Sequence, residues 1–376
     1  MERKYNLAEY FKAVETTGTH QGYFCSVGEA LTIAILGTFC GLKNTKQIHQ
    51  WASNARVSEF LRNEFGIRKV PCYYWLLSLI SLVDPKSLNE CFILWVESLL
   101  PDGTKGYTVS FDGKTICSTG KMSNYPSPLH IVSAHIAELG LTFGQQAVCD
   151  KSNEIPAVRE LISMLNLKGC IVVADALNYQ KDTAKAIIGQ KADYLLNVKG
   201  NHEDLREEIE TYIQDETLRQ QMDTSETLEK NRGRIERRIS YVSSNIDWLH
   251  NGNEWAQLAC IGAINRIVKT SSGTTNEWHY FISSRHLTAS DLLKHARMEW
   301  SVEAMHWMLD VHFGEDFCRV LDKDGQQNLN IVRKIVLNHL RRYKEATASN
   351  RPFSNIMLDC LIDCDKLLML FFHSEN

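Results

Sequence analysis

Val109-Ser110-Phe111-Asp112-Gly113-Lys114-Thr115 is the stretch from which the fold of this chain can be read outward. It is a short apolar strand that stops at a carboxylate, a glycine, a lysine and a hydroxyl. Gly-Lys-Thr also closes a phosphate-binding P-loop, and Asp-Gly is a common turn pair, so the segment admits competing readings. Register removes the P-loop. That motif needs a glycine five residues before Gly113, where the chain has Thr108, and a helix after the Thr, where it has Cys117-Ser118-Thr119-Gly120. Asp112 remains, a strand-end acid that could hold a metal if other acids converge on it.

Downstream, residues 107–111, 130–136 and 141–148 are short segments rich in β-formers, separated by Gly, Pro and Ser, and they predict an antiparallel meander. Pro156 opens a helix whose Val158, Leu161, Ile162 and Leu165 share one buried face. Cys-Ile-Val-Val-Ala at 170–174 is an unbroken apolar run, as in a central strand, and it stops at Asp175. A helix with Ala184, Ile187 and Ile188 on one face and a strand at 194–198 complete the order β-β-β-α-β-α-β. In that order the first strand and the one from Cys170 can be sheet neighbours, which would bring Asp112 and Asp175 together.

Residues 1–100 read as a small helical domain. Ser26-Val27-Gly28-Glu29 is a capping box, and Gly41 follows the apolar run 30–40 as a C-cap glycine would. Asn44, Pro71 and Asp84-Pro85 mark further helix starts, and Pro101-Asp102-Gly103-Thr104 is a turn-rich boundary. Residues 201–285 read as a mainly β insertion within a catalytic unit spanning 101–345. Helix resumes at Thr288 or Ser290 and runs to about Leu340; within the tail 346–376, the apolar run 367–372 reads as a docking helix.

Composition sets the outer limits. At roughly 100–200 residues per domain, 376 residues suggest two or three units. A net charge of −4 excludes a polycation, so any nucleic-acid contact must come from local patches. The 11 scattered cysteines, with no C-x-x-C, suit reduced thiols rather than a disulfide framework or zinc ribbon. Neither a signal-peptide pattern at the N-terminus nor a spanning apolar stretch occurs, and the expectation is a soluble cytoplasmic protein.

A third acid comes from the helical region after the insertion. At 100° per residue Glu299, Glu303, His306 and Asp310 fall on one stripe, beside Leu293, Ala296, Trp300, Ala304, Trp307 and Val311. The tryptophans are expected to be buried and to hold the acids against the sheet. Three crowded carboxylates would raise one another's pKa unless a cation neutralises them. Oxygen ligands suit Mg²⁺ or Mn²⁺, and two such ions about 3.5–4 Å apart can clamp an in-line phosphoryl displacement.

Taken together these residues resemble the DDE transposases of bacterial insertion sequences, and among them the H-repeat-associated, Rhs-linked group. The likeness runs along almost the whole chain. It is carried by Phe111-Asp112-Gly113-Lys114-Thr115, His130-Ile131-Val132-Ser133-Ala134, Lys151-Ser152-Asn153-Glu154-Ile155, Asp175-Ala176, Lys199-Gly200-Asn201 and Gly233-Arg234-Ile235-Glu236. Trp300-Ser301-Val302-Glu303, His306-Trp307, Leu309-Asp310-Val311 and Glu315-Asp316 extend it. The resemblance implies an α/β fold, an RNase H-like mixed-sheet core with a β-rich insertion, and catalytic, metal-holding acids at Asp112, Asp175 and Glu303. It selects Glu303 over Glu299 and Asp310. It also implies Mg²⁺-dependent (or Mn²⁺-dependent) nicking of double-stranded DNA at the terminal inverted repeats, using two ions, and transfer of the freed 3′-hydroxyl into target DNA by a homodimer. Departures surround these residues: the group usually has His at the position of Glu299 and Asn at that of Ala304. An RNase H-like nuclease without strand transfer, and a decayed DNA-binding relic, are the alternatives.

Phosphate contacts are expected at Lys114 and Lys199, beside catalytic strand ends, and in the basic cluster Lys230, Arg232, Arg234, Arg237 and Arg238. A second cluster, Arg333, Lys334, Arg341, Arg342 and Lys344, is expected to do the same.

Overall fold

In the computed structural model, which describes residues 7–18, 24–119, 128–148, 154–174, 180–231 and 233–373, the opening stretch is the middle of a nine-residue strand, β1 (Thr108–Ile116). The strand does not end at Asp112. Its antiparallel partner β2 (Leu129–Ile136) pairs with it from Val109↔Ile136 to Ile116↔Leu129, so backbone groups beyond Asp112 still have a ladder to join. On its other side the parallel partner β4 (Ile171–Ala174) stops at Phe111↔Ala174. Among the described residues Asp112 is therefore the first of β1 with a strand partner on one side only, and the strand changes there from buried to partly exposed.

The expected meander is present. β3 (Leu141–Ala147) pairs antiparallel with β2, and Gly140, at φ +65°, supplies the left-handed turn residue between them. Pro156 lies in the first turn of α6 (Ile155–Met164), which buries Ala157, Val158, Leu161 and Ile162. α7 (Lys181–Gly189) leads to β5 (Asp193–Val198), parallel to β4. After α8 (Glu203–Gln214) come β6 (Asp223–Asn231), β7 (Arg234–Ser243), β8 (Cys260–Thr270) and β9 (Gly273–Ser283). This segment is mainly β, and it adds to the same sheet. β9 pairs antiparallel with β5, giving nine strands in the order β3-β2-β1-β4-β5-β9-β8-β7-β6. β5 would otherwise present a row of unpaired N–H and C=O groups, and β9 satisfies them.

The N-terminal helices are α1 (Val27–Phe39), α2 (Thr45–Ala52), α3 (Ala55–Phe65), α4 (Tyr73–Leu82) and α5 (Pro85–Ser98). Local caps start them: Ser26 and Glu29 form the complete capping box, Asn44 accepts from the Gln47 N–H, and Asp84 from that of Ser87. After β9 come α9 (Ala289–Met298), α10 (Ser301–Phe313) and α11 (Lys323–Ala346), then α12 (Phe353–Ile362) and α13 (Cys364–His373). The expected single helix from 288 to 340 is thus broken twice, at Glu299-Trp300 and at Gly314, whose φ of +61° ends α10.

α11 packs between the N-terminal helices and the β3 side of the sheet, and one apolar core runs through all three. Polar side chains fix it on both flanks: Asn328 Nδ2 donates to the carbonyls of Ile80 and Val83, both at 2.9 Å, and Asn338 exchanges two hydrogen bonds with the Thr142 backbone. The docking helix α13 buries Leu367, Leu370 and Phe371, with the Phe371 ring near Phe39 and His339. Among the described residues the cysteines are free, and no helix is long and apolar enough to cross a membrane.

Candidate active site

α10 crosses the sheet at the place where β1 loses β4, and this brings two of the expected acids to one cavity. Asp112 and Glu303 both line a space of about 200 Å³, with Glu299, Lys199, Arg238, Arg266, His279 and Trp300 among its other walls. Glu303 is exposed, in the first turn of α10, and Asp112 is about a third exposed. Asp175 lies outside the described residues; its predecessor Ala174 pairs with Phe111, the residue before Asp112. The described donors are oxygen atoms of partly exposed carboxylates, chemistry that fits a hard divalent cation. Among the described residues, no three His, Cys, Asp or Glu side chains are grouped closely enough to hold a metal.

The face of α10 that meets the sheet differs from the expected one. Val302, Met305, His306, Leu309 and Phe313 are buried, whereas Trp300, Trp307 and Val311 are 48%, 59% and 46% exposed. The tryptophans do not press the acids onto the sheet. The break at Glu299-Trp300 restarts the helix, so the angular relation read from Leu293 and Ala296 does not carry into α10. His306 takes the inward role instead, its Nε2 3.5 Å from Asp112 Oδ2, an ion-pair distance rather than a well-formed hydrogen bond.

Lys114, expected at phosphate, is engaged inside the protein. Its Nζ lies 2.5 Å from both Asp310 Oδ1 and Glu315 Oε2, and its side chain is 15% exposed. Burial pulls the lysine pKa down, but Glu315 and Asp310 outweigh it and hold the ammonium above its ordinary value. Glu315 is itself buried and also accepts from Asn330 Nδ2 at 2.5 Å. Burial alone would raise its pKa; the charges of Lys114 and Lys334 bring it below the usual carboxylate range.

The second basic cluster is divided: Arg341, Arg342 and Lys344 are partly exposed, and the other two are not. Arg333 and Lys334 are buried in α11, and Lys334 Nζ donates to Ser133 Oγ and Gln145 Oε1, each at 2.7 Å. Ser133 is the register partner of Asp112, so Lys334 braces the strand beside the candidate site. Burial pushes its pKa down to about 7 despite the opposing pull of Glu315. Of the first cluster, Arg232 lies outside the described residues. Arg237 is held bidentate by Glu226, at 2.6 and 2.8 Å. Arg234, Arg238 and Arg266 converge on Glu236, whose carboxylate pKa burial would raise but which these arginines bring below its ordinary range. Arg238 and Arg266 nevertheless line the cavity, as does Lys199 just past the end of β5.

Arg266 and His279, on β8 and β9, had no signal in the sequence beyond strand alternation. They reach the cavity because β9 pairs with β5. The Arg266 guanidinium also lies 5.7 Å from the Trp300 ring centroid, a cation–π distance, and burial holds His279 below its ordinary pKa.

Comparison with known proteins shows the family of the chain. The transposase DDE domain family matches residues 106–339, and a DDE_Tnp_1-associated family matches residues 8–96. The chain belongs to the DDE transposase family. It is 32% identical over 289 residues to the H repeat-associated putative transposase YhhI and, equally, to the protein YbfL, both of Escherichia coli K12. Each alignment covers 75% of this chain and 76% of the relative. Among solved structures, a piggyBac transposase synaptic complex with hairpin DNA aligns over 98% of this chain and 81% of that chain, at 11% identity and a TM-score of 0.46.

Proposed function

We propose that this protein is a metal-dependent insertion-sequence transposase that nicks double-stranded DNA at transposon ends and joins the freed 3′-hydroxyl to target DNA. The observation that carries the reading is the convergence of Asp112 and Glu303, 191 positions apart in the chain, on one cavity rimmed by Lys199, Arg238 and Arg266. The antiparallel β3-β2-β1 beside parallel β1-β4-β5 supports an RNase H-like core. On this reading residues 1–100 are a transposase-associated helical unit, 101–345 the catalytic unit with its insertion at 201–285, and 346–376 the tail. The working form is a homodimer on the terminal inverted repeats and target DNA, in the cytoplasm.

Asp112, Asp175 and Glu303 are the residues that would hold Mg²⁺ or Mn²⁺. When bound, two such ions supply charge stabilisation at the attacking and leaving oxygens of phosphoryl transfer. Lys199, Arg238 and Arg266 bring positive charge to a wall of the cavity, where they orient the phosphodiester and offset its charge. In the first step a water oxygen bonds to phosphorus, the P–O3′ bond breaks, and the 3′-oxygen takes up a proton. In the second, that 3′-hydroxyl loses its proton as it bonds to a target phosphorus, and the target's own 3′-oxygen leaves.

The test uses the purified chain, a duplex carrying the ends that flank its gene, and Mg²⁺. Asp112→Ala, Asp175→Ala and Glu303→Ala should each lower end cleavage at least about 100-fold while retaining DNA binding. Three variants that still cleave would disprove the triad. A pre-cleaved 3′-hydroxyl end that gives no joined product would favour a nuclease. Glu299, a further carboxylate on the cavity wall, is the observation that favours a binding relic, and that reading predicts ends bound but never cut.

A further inference from the structure

The side chains joining β1 to α10 form consecutive rungs. Asp112 and Lys114 are two apart on a strand and therefore share a face. Glu303, His306 and Asp310 are three and four apart on a helix and lie on neighbouring turns of one side. Asp112 faces His306 at 3.5 Å, and Lys114 faces Asp310 at 2.5 Å. Glu315, just past the glycine that ends α10, closes on the same ammonium at 2.5 Å and is anchored to α11 through Asn330. These contacts leave α10 little freedom to slide or rotate over β1.

We infer that Lys114 is a positioning residue: with Asp310 and Glu315 it sets the register of α10 on β1, and so the separation of Asp112 and Glu303 across which a divalent cation would be held. This rests on the transposase reading for the role of the two acids, but the register claim stands on the contacts alone. It explains why an acid stripe continues two turns beyond Glu303: Asp310 faces a lysine and not a metal. Burial argues in the same direction, because a lysine that is 15% exposed already commits two of its three donors to carboxylates inside the protein. Breaking such a pair on one side leaves a buried charge uncompensated, so the helix should loosen where the pair is lost.

The experiment compares the full-length protein with Lys114→Met, Lys114→Arg and Asp310→Asn. The last leaves the Lys114–Glu315 pair in place, so the fold survives even if Lys114→Met destabilises it. Hydrogen exchange, without metal or DNA, should show faster exchange confined to α10 in Lys114→Met and Asp310→Asn, with partial recovery in Lys114→Arg. Mn²⁺ binding to the DNA-free protein, by calorimetry, should weaken about tenfold or more in the same order. Metal-free DNA binding should stay within about twofold of wild type. Unchanged exchange in α10 overturns the inference whether or not the protein is a transposase. So does a Lys114→Met variant that keeps its Mn²⁺ affinity but loses DNA affinity, with a salt slope smaller by about one, since that marks a phosphate contact. Faster α10 exchange in a wild-type-like background that never binds Mn²⁺ would keep the register role and discard the metal site.

Discussion

Lys334 shows most directly how the fold reassigns a residue. A lysine in a run of basic residues has the sequence signature of a phosphate contact, yet here it is buried against β2 and β3, hydrogen-bonded to Ser133 and Gln145 and near the charges of Glu315 and Lys114. Its folded pKa of about 7 lies below the ordinary lysine value, so the unfolded chain binds more protons than the native one between roughly pH 7 and 10.5. Stability should therefore rise with pH through that window, and below pH 7 the full cost of burying the charge is present. Unfolding free energies from urea titrations at pH 6.5 and 9 should differ by an amount on the order of a few kcal/mol at most, and Lys334→Met should flatten that difference. An unchanged slope in the variant would show that another group is responsible. Asp112 and Glu303 were legible as acids worth pairing because a strand-end carboxylate and a helical stripe leave marks in the chain. The internal partners of Lys114 and Lys334 were not legible, because basic residues look alike until burial is known.

At the scale of elements, caps were legible and faces were not. Ser26, Asn44, Asp84 and Thr288 each cap the helix expected from them, because a cap is satisfied by atoms within three residues. The buried side of α10 depended on where the chain breaks, and two residues in right-handed conformation at Glu299-Trp300 break it without a glycine or proline to announce the change. The corrected face has a clear consequence. Leu309→Ala should cost about 2–5 kcal/mol, as expected for emptying a buried leucine site, and Trp307→Ala should stay within about 0.5 kcal/mol. Chemical denaturation of the two variants decides between the faces, since a larger loss at Trp307 would restore the buried-tryptophan arrangement.

Across the whole molecule, α11 is the member that ties the parts together. Its buried Leu329, Val332, Val336 and Leu340 belong to the core shared with the N-terminal helices, and its Asn328 donates to carbonyls at the end of α4. Each such aliphatic side chain contributes about 1.5–3 kcal/mol when buried, and a buried amide left without its partner costs about 1–3 kcal/mol. A fragment of residues 101–345 should therefore aggregate or lack a cooperative melt, whereas the full chain should melt as one unit; a monomeric, cooperatively melting fragment would show that segment to be independent. The strand and helix order, the helix starts, two acids of the candidate site and the family were all within reach of the sequence by itself, because they rest on periodicity, short-range hydrogen bonding and shared motifs. Which cations face the cavity, which side of α10 is buried, and that the β insertion extends the central sheet were decided only by tertiary structure. Each depends on pairing between segments tens to hundreds of residues apart, where burial and charge compensation, rather than local pattern, select the arrangement.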